Sequence, residues 1–509
     1  MMKHSSSPAW NDSCDSPQNA LARLCLERFC DPERFAGLLS QNSKTASDWD
    51  KGNLSQCGLP ILELLISLSR AVADHVGDLD MVIQRLNDLI GLSNEKFYAY
   101  PFRDVPVCWR DLFWEASLLK FTALAVKGLW TDPAVKPRRV PRITFESRIL
   151  DEMVRTVDMA LIMAGPPTSL EIRNAIDVAL DLLQQCNSSF VDQGEENRKQ
   201  KRRKLDTVSN VSSQRFPLTS WFVPPLSNPI PRSTSLSFDS FEKHMLHPRD
   251  IDVGAEPIII TGVIDGWPAR SERPWSSPEY LLSKTIGGRR LVPIETGRSY
   301  VEEGWGQKII TFREFIDDYV LPDGKSSSLA TGYLAQHNLF AQIPSLRQDI
   351  AIPDYCYTSP PPPHPSSPLS QKHPEIPQLE DPLLNAWFGP TGTISPLHTD
   401  PYHNILSQVV GRKYVRLYAP REGEKLYARG IEDGGVDMSN TSAVDVGILA
   451  GWDGTEGERT EAHLQFPCYK EAESVDCILE EGECLYIPVG WWHYVRSLSV
   501  SFSVSFWWN

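Results

Sequence analysis

The apolar residues of this sequence change their spacing once, and no single architecture satisfies both halves. From about Ala20 to Leu183 they recur three and four apart, as in LPILELLISLSRAVADHV (59–76), MVIQRLNDLI (81–90), WRDLFWEASLLKFTALAVKGLW (109–130) and SLEIRNAIDVALDLLQQC (169–186). That spacing gives each segment one apolar stripe and predicts a series of packed helices. Ser169 is placed to cap the last of them, Gly77 and Gly91 to end two others, and Gly128 to end or bend a third. From Phe216 onward the pattern becomes short runs such as EPIIITGVIDGWP (256–268), QKIITF (307–312), HNILSQVVGRKYVRLYAP (403–420) and SLSVSFSVSFWW (497–508). Many short strands separated by Gly and Pro predict a sandwich or barrel. The expected chain is α+β, with an all-α domain over 15–187 and a β-rich domain over 216–509.

The stretch between them, 188–215, is polar, charged and poor in large apolar residues, so it reads as a disordered linker. Inside it Arg198 to Lys204 (RKQKRRK) holds six basic residues in seven. A solvated charge run is the plain reading, and a nuclear-import signal read by an import receptor is the functional one. On the latter the protein is nuclear, with a cytoplasmic pool also open. The proline-rich stretch 359–378 cannot be a strand and reads as a surface insertion, partly extended or disordered. Ten scattered cysteines form no CxxC pair, which suits reduced thiols in an intracellular protein. No apolar run is long enough to span a membrane and the N-terminus has no signal-peptide core. A net charge of −15 argues against wholesale nucleic-acid binding and is compatible with a basic protein partner.

Chemistry concentrates in the second half. In SPLHTDPYHN (395–404) His398 and Asp400 are two apart, which on a strand turns both to one face. His493 follows 95 residues later, after the turn IPVGWW (487–492). Two histidines and a carboxylate are the facial triad of non-haem Fe(II) oxygenases, and three positions stay open on such an ion. A zinc site would use three ligands and water without the rest of the arrangement. In GRKYVRLY (411–418) alternation places Lys413 with Val409, Val415 and Leu417, opposite Arg412 and Arg416. A buried ammonium needs an anion, and a small dicarboxylate beside a metal would provide one; a lysine that snorkels to solvent is the plain alternative. Ser395 and Asn404 offer uncharged hydrogen-bonding groups nearby. On the last strand Ser497, Ser499, Ser501, Ser503 and Ser505 share a face that either lines a ligand-holding interior or meets water.

The block NAWFGPTGTISPLHTDPYHNILSQVVGRKYVRLYAP, together with GECLYIPVGWWHYVRSLSVSFSVSFWWN, resembles the Jumonji-C (JmjC) 2-oxoglutarate oxygenases over roughly residues 235–509. The resemblance implies a double-stranded β-helix (a cupin-like jelly roll) with flanking helices. It implies Fe(II) on His398, Asp400 and His493, and 2-oxoglutarate on Tyr333, Ser395, Asn404 and Lys413, with Lys413 on the distal carboxylate and O2 as co-substrate. It implies Glu295 and Trp305 as a grip on a substrate arginine, with Trp387 walling the same pocket; a carboxylate pairs with a guanidinium while an indole stacks on it. The expected activity is hydroxylation of a protein side chain, arginine first. Demethylation of histone methyl-lysine is the alternative, and a metal-retaining interaction module without turnover is a further one. The expected partner is a basic side chain on a histone, ribosomal or other chromatin protein. Proteolytic clipping has no nucleophile and base in the sequence to support it.

Overall fold

The computed structural model describes residues 16–33, 35, 54–74, 76–100, 104–129, 146–202, 215–220, 222–299, 301, 304–321, 331–432 and 435–509, and for 188–202 and 373 the backbone alone. The chain divides into two compact units, Met1–Asn210 with Thr285–Leu291, and Val211–Lys284 with Val292–Asn509.

In the first unit six long helices account for the three-and-four spacing: α1 (Pro17–Phe29), α2 (Leu59–Ala73), α3 (Leu79–Tyr98), α4 (Val107–Leu129), α5 (Ser147–Ala164) and α6 (Leu170–Arg202). The Ser16 hydroxyl caps α1 and the Asp78 carboxylate caps α3. The Ser169 hydroxyl accepts from the Ile172 amide at 3.4 Å, in the expected place. Helix α4 is buried on nearly every side and supplies residues to both apolar clusters of this unit. Gly77 adopts φ +92° between α2 and α3, but Gly91 lies inside α3, which continues to Tyr98. A glycine in a helix costs about 1 kcal/mol, and burial of Leu86, Leu89 and Ser93 on the same helix offsets it. The linker reading also fails in part. Backbone 188–202 continues α6, because Gln, Glu, Lys and Arg are good helix formers and extending an existing helix needs no new nucleus. Of the basic run, Arg198 to Arg202 lie on this helix and Arg203 and Lys204 outside the described residues. No helix among the described residues is long and apolar enough to cross a membrane.

The second unit is built on strands β1 (Arg232–Thr234), β2 (Ile258–Thr261), β3 (Leu291–Thr296), β4 (Gly306–Thr311), β5 (Gly332–His337), β6 (Leu383–Gly389), β7 (Ile394–His398), β8 (His403–Val410), β9 (Lys413–Tyr418), β10 (Ser474–Leu479), β11 (Glu483–Ile487), β12 (Trp492–Ser497) and β13 (Ser501–Trp508). Among the described residues they form a large sheet, β1-β2-β11-β8-β13-β6-β5-β3-β4, and a small one, β10-β9-β12-β7. The expected double-stranded β-helix is this pair of facing sheets. Leu406, Leu485 and Ile487 of the large sheet share one apolar cluster with Val415, Leu417 and Val495 of the small one, so this cluster lies between them. The opposite face of the large sheet carries Ile405, Val409, Phe388, Phe502, Val504 and Phe506 in the largest cluster. The five serines of the 497–505 alternation are at most 2% exposed, so the face-to-water alternative falls. Ser503 donates to Gln408 and Gln408 to Ser501, at 2.7 and 2.9 Å.

Two features correct the sequence reading. Val409 does not share a face with Lys413, because β8 and β9 belong to different sheets and the chain changes sheet at Gly411. The stretch 359–378 is not simply a surface excursion: Ser367 is buried and the Pro361 carbonyl meets His403 Nε2 at 3.0 Å.

Gly411 makes the crossing possible. Its φ is +72°, and a Cβ there would lie 1.9 Å from the Val500 carbonyl oxygen. Left-handed backbone alone costs a non-glycine residue about 1–2 kcal/mol. Gly411→Ala is therefore expected to lower the stability of the β-rich unit by more than about 2 kcal/mol in urea titrations; an unchanged midpoint would refute this account of the turn.

Candidate metal centre

His398 ends β7 and His493 is the second residue of β12, and antiparallel pairing sets them directly opposite. Cross-strand partners of this kind face each other at about 5 Å; here the two rings are 4.2 Å apart, centroid to centroid. Asp400 does not lie on the strand as the two-residue spacing suggests. It sits in the turn that carries the chain from the small sheet to the large one, and still converges on the histidines. Its Oδ2 is 3.5 Å from His493 Nε2 and its Oδ1 3.7 Å from His398 Nε2. One ligand atom from each residue lies within 4.8 Å of the others, the single such group among the described residues.

The tautomers follow from the neighbours. His398 Nδ1 faces the Pro396 carbonyl at 2.7 Å, and His493 Nδ1 the Trp491 carbonyl at 3.1 Å. A carbonyl only accepts, so each ring donates from Nδ1 and turns its Nε2 toward Asp400. Burial, then the neighbouring His493, holds the His398 pKa down at about 4, so this ring is neutral at ordinary pH. Burial pushes the Asp400 carboxyl up, but His493, His398 and a hydrogen bond from Asn404 outweigh it and leave it below the usual carboxylate range. Two imidazoles and one carboxylate suit a divalent ion with positions to spare.

The same cavity is lined by Tyr333 (β5), Trp387 (β6), Ser395 (β7), Asn404 (β8) and Lys413 (β9). Lys413 is 1% exposed and its Nζ donates to the Tyr333 hydroxyl at 3.2 Å. No carboxylate pairs with it among the described residues, and burial pushes its pKa down to about 7. Snorkelling to solvent is excluded by that burial. The Asn404 Oδ1 is buried with no hydrogen-bond partner, a second polar atom without a match at this site. The space among these groups that a water can enter is small, about 20 Å³. Trp387 is held by its indole N–H on Ser505 Oγ at 2.9 Å, which ties the serine face to the cavity wall.

Glu295 and Trp305 do come together, but outside this lining. Glu295 is the register partner of Tyr333 on the neighbouring strand. Burial raises its pKa, and a hydrogen bond with Trp305 partly restores it. Trp305 itself is 37% exposed. Sequence reasoning passed over Leu406, Ile487 and Val495, which complete the cavity wall. Alternation from Asn404 would have reached Leu406; the other two carry no mark distinguishing them from core residues.

The domain family described as Cupin-like matches residues 246–509. Over 91% of its length the chain is 34% identical to Lysine-specific demethylase 8 of Danio rerio, covering 97% of that protein. It is 34% identical to Lysine-specific demethylase JMJ30 of Arabidopsis thaliana across 82% of the chain and 83% of the relative. Jumonji C domain-containing protein 5 of Drosophila melanogaster matches at 37% over half of the chain and 55% of its own length.

Lys413 sets a pH dependence. Folded, its pKa is about 7, against an ordinary value of 10.5. Between these the unfolded chain holds a proton that the folded chain lacks, so stability rises with pH across the interval, and below 7 the full penalty of a buried ammonium is present. Lys413→Met is expected to stabilise the ligand-free protein at pH 6 by about 1–3 kcal/mol and to flatten the rise above neutrality. Urea titrations of both proteins at pH 6 and 9 check it, and a variant less stable than its parent at pH 6 would contradict the unpaired ammonium.

Proposed function

The chain belongs to the JmjC family of cupin-like 2-oxoglutarate-dependent oxygenases, and from that premise we propose that it oxidises N-methyl groups on lysine side chains of a protein substrate. The observation that carries the reading is one cavity that gathers two Nδ1-protonated histidines, an ionised aspartate and a buried lysine without an anion. In this reading His398, Asp400 and His493 hold Fe(II). Tyr333, Ser395, Asn404 and Lys413 would hold 2-oxoglutarate, with Lys413 on its far carboxylate. The fit rests on the two unmatched groups, the Lys413 ammonium and the Asn404 Oδ1. With O2, this pair of reagents supplies one oxygen atom to a C–H bond and leaves succinate and carbon dioxide.

The protein's own part is orientation and exclusion of water. Carbonyls on both Nδ1 atoms keep the imidazoles from rotating, and burial keeps His398 neutral so that protons do not compete for its Nε2. Trp387 and Tyr333, 6.1 Å apart, close the cavity on the side that leads to Glu295. A methyl group oxidised on nitrogen is lost as formaldehyde, and demethylation is the outcome. Two of the relatives, both named as lysine-specific demethylases, support this choice of substrate.

A second reading, hydroxylation of an arginine, is favoured by Glu295 beside Trp305: a carboxylate with an adjoining indole face suits a guanidinium. A nuclear site of action and an import receptor on 198–204 belong to the same proposal, supported by the six basic residues there.

Mass spectrometry of methyl-lysine and arginine peptides incubated with the protein, Fe(II) and 2-oxoglutarate separates the two. Loss of methyl groups supports the first reading and gain of one oxygen on arginine the second. Asp400→Ala is expected to cut product at least about 100-fold; undiminished product in that variant would sink the assignment of the centre. Glu295→Gln is expected to lower turnover of arginine peptides far more than of methyl-lysine peptides.

A further inference from the structure

The second unit holds a much larger cavity, about 500 Å³, outside the metal site. Pro396 of β7 and Tyr494 of β12 form part of its wall, two residues before His398 and one after His493. β7 ends the strand order of the small sheet, and Ile394 and Tyr494 of the lining belong to the apolar cluster on the face of that sheet away from Val415, Leu417 and Val495. The lining also includes Arg298 and Ser299, three and four residues beyond Glu295, and Arg429.

Three donors in this wall have nothing to donate to. Ser299 Oγ and Arg429 Nε are buried with no hydrogen-bond partner, and the Tyr494 hydroxyl is buried with no acceptor for its proton. Ser299 is 6% exposed and Tyr494 2%. The Arg496 guanidinium lies beside the Tyr494 hydroxyl, but a guanidinium only donates, so the phenolic proton remains free. The guanidinium groups already have carboxylates. Arg298 meets Asp445 at 2.7 Å and Asp453 at 2.8 Å, Arg496 meets Asp453 at 2.7 Å, and Arg429 meets Glu432 at 2.7 Å. A charged ligand would disturb these pairs. A neutral one bearing carbonyl oxygens satisfies the donors and leaves the pairs intact.

Polypeptide main chain is such a ligand, with one carbonyl per residue. We infer that this cavity seats the main chain of the substrate on one side of the residue being oxidised, through carbonyl oxygens on Ser299, Arg429 and Tyr494. The inference rests on the reading of the substrate as a protein. An extended peptide advances about 3.3 Å per residue, so a chain leaving the Glu295–Trp305 pair reaches Ser299 within a few residues. Flanking side chains contribute little to such a grip, and peptides of varied sequence bind alike.

Fluorescence anisotropy on the full chain tests it. The probes are labelled nine-residue peptide pools, random except for a central dimethyl-lysine or arginine, and three-residue versions of the same. Ser299→Ala removes a hydroxyl that has no partner and should unfold at the parental midpoint; Tyr494→Phe also gives up the contact with Arg496, and its midpoint is measured alongside. Each is expected to weaken binding of the nine-residue pools about three- to tenfold, the worth of one hydrogen bond, and to leave the three-residue pools unaffected. Parental affinity in both hydroxyl variants, equal binding of short and long pools, or no binding of the long pools overturns the inference. Binding that depends on the two hydroxyls, with no peptide oxidised, overturns the proposed reaction and leaves the role of the cavity standing.

Discussion

The antiparallel register between β7 and β12 is the constraint on which the site depends. It sets His493 opposite His398, and a slip of one residue would turn one imidazole to the far side of the small sheet. The same pairing brings Pro396 and Tyr494, on the same two strands, into the wall of the second cavity. The chain crosses between sheets at both ends of β8, at Thr399–Tyr402 and at Gly411. The first crossing delivers Asp400 and the second starts β9 with Lys413, so two changes of sheet bring two charged groups to the cavity.

Those charges sit in an interior that is otherwise apolar. Val415, Leu417, Ile487 and Val495 pack between the sheets a few residues from Lys413 and the histidines. Burial is why His398 stays neutral and why the Lys413 ammonium is disfavoured. A buried cation without a partner is costly, and the cost is an asset if an arriving dicarboxylate relieves it. Stability given up in the empty protein then reappears as affinity for the co-substrate.

Much of this was legible in the residues. The change of period separated helices from strands, and H-x-D with a later histidine and an isolated lysine pointed to one site. Errors arose where local rules met longer-range geometry. Gly91 did not stop α3 because the helix has a buried stripe on both sides of it. Backbone 188–202 extended α6 because a helix already nucleated propagates into charged residues. Val409 fell on the wrong face because alternation holds only within one strand, and a turn lay between it and Lys413. Leu406, Ile487 and Val495 were missed because an apolar residue that walls a site looks like any other core residue.

The sequence by itself determined the two classes of secondary structure, the three groups able to bind a metal and the presence of a lysine on an apolar face, since periodicity and residue chemistry are local properties. Tertiary structure decided which atoms meet. It alone placed Asp400 in a crossing turn, fixed both Nδ1 protons on carbonyls, set Glu295 beside Tyr333 and left Ser299 Oγ, Arg429 Nε and the Tyr494 hydroxyl proton without acceptors among the residues of one cavity. Those facts depend on register and on changes of sheet, which join residues tens to hundreds of positions apart and leave no mark in the spacing of either.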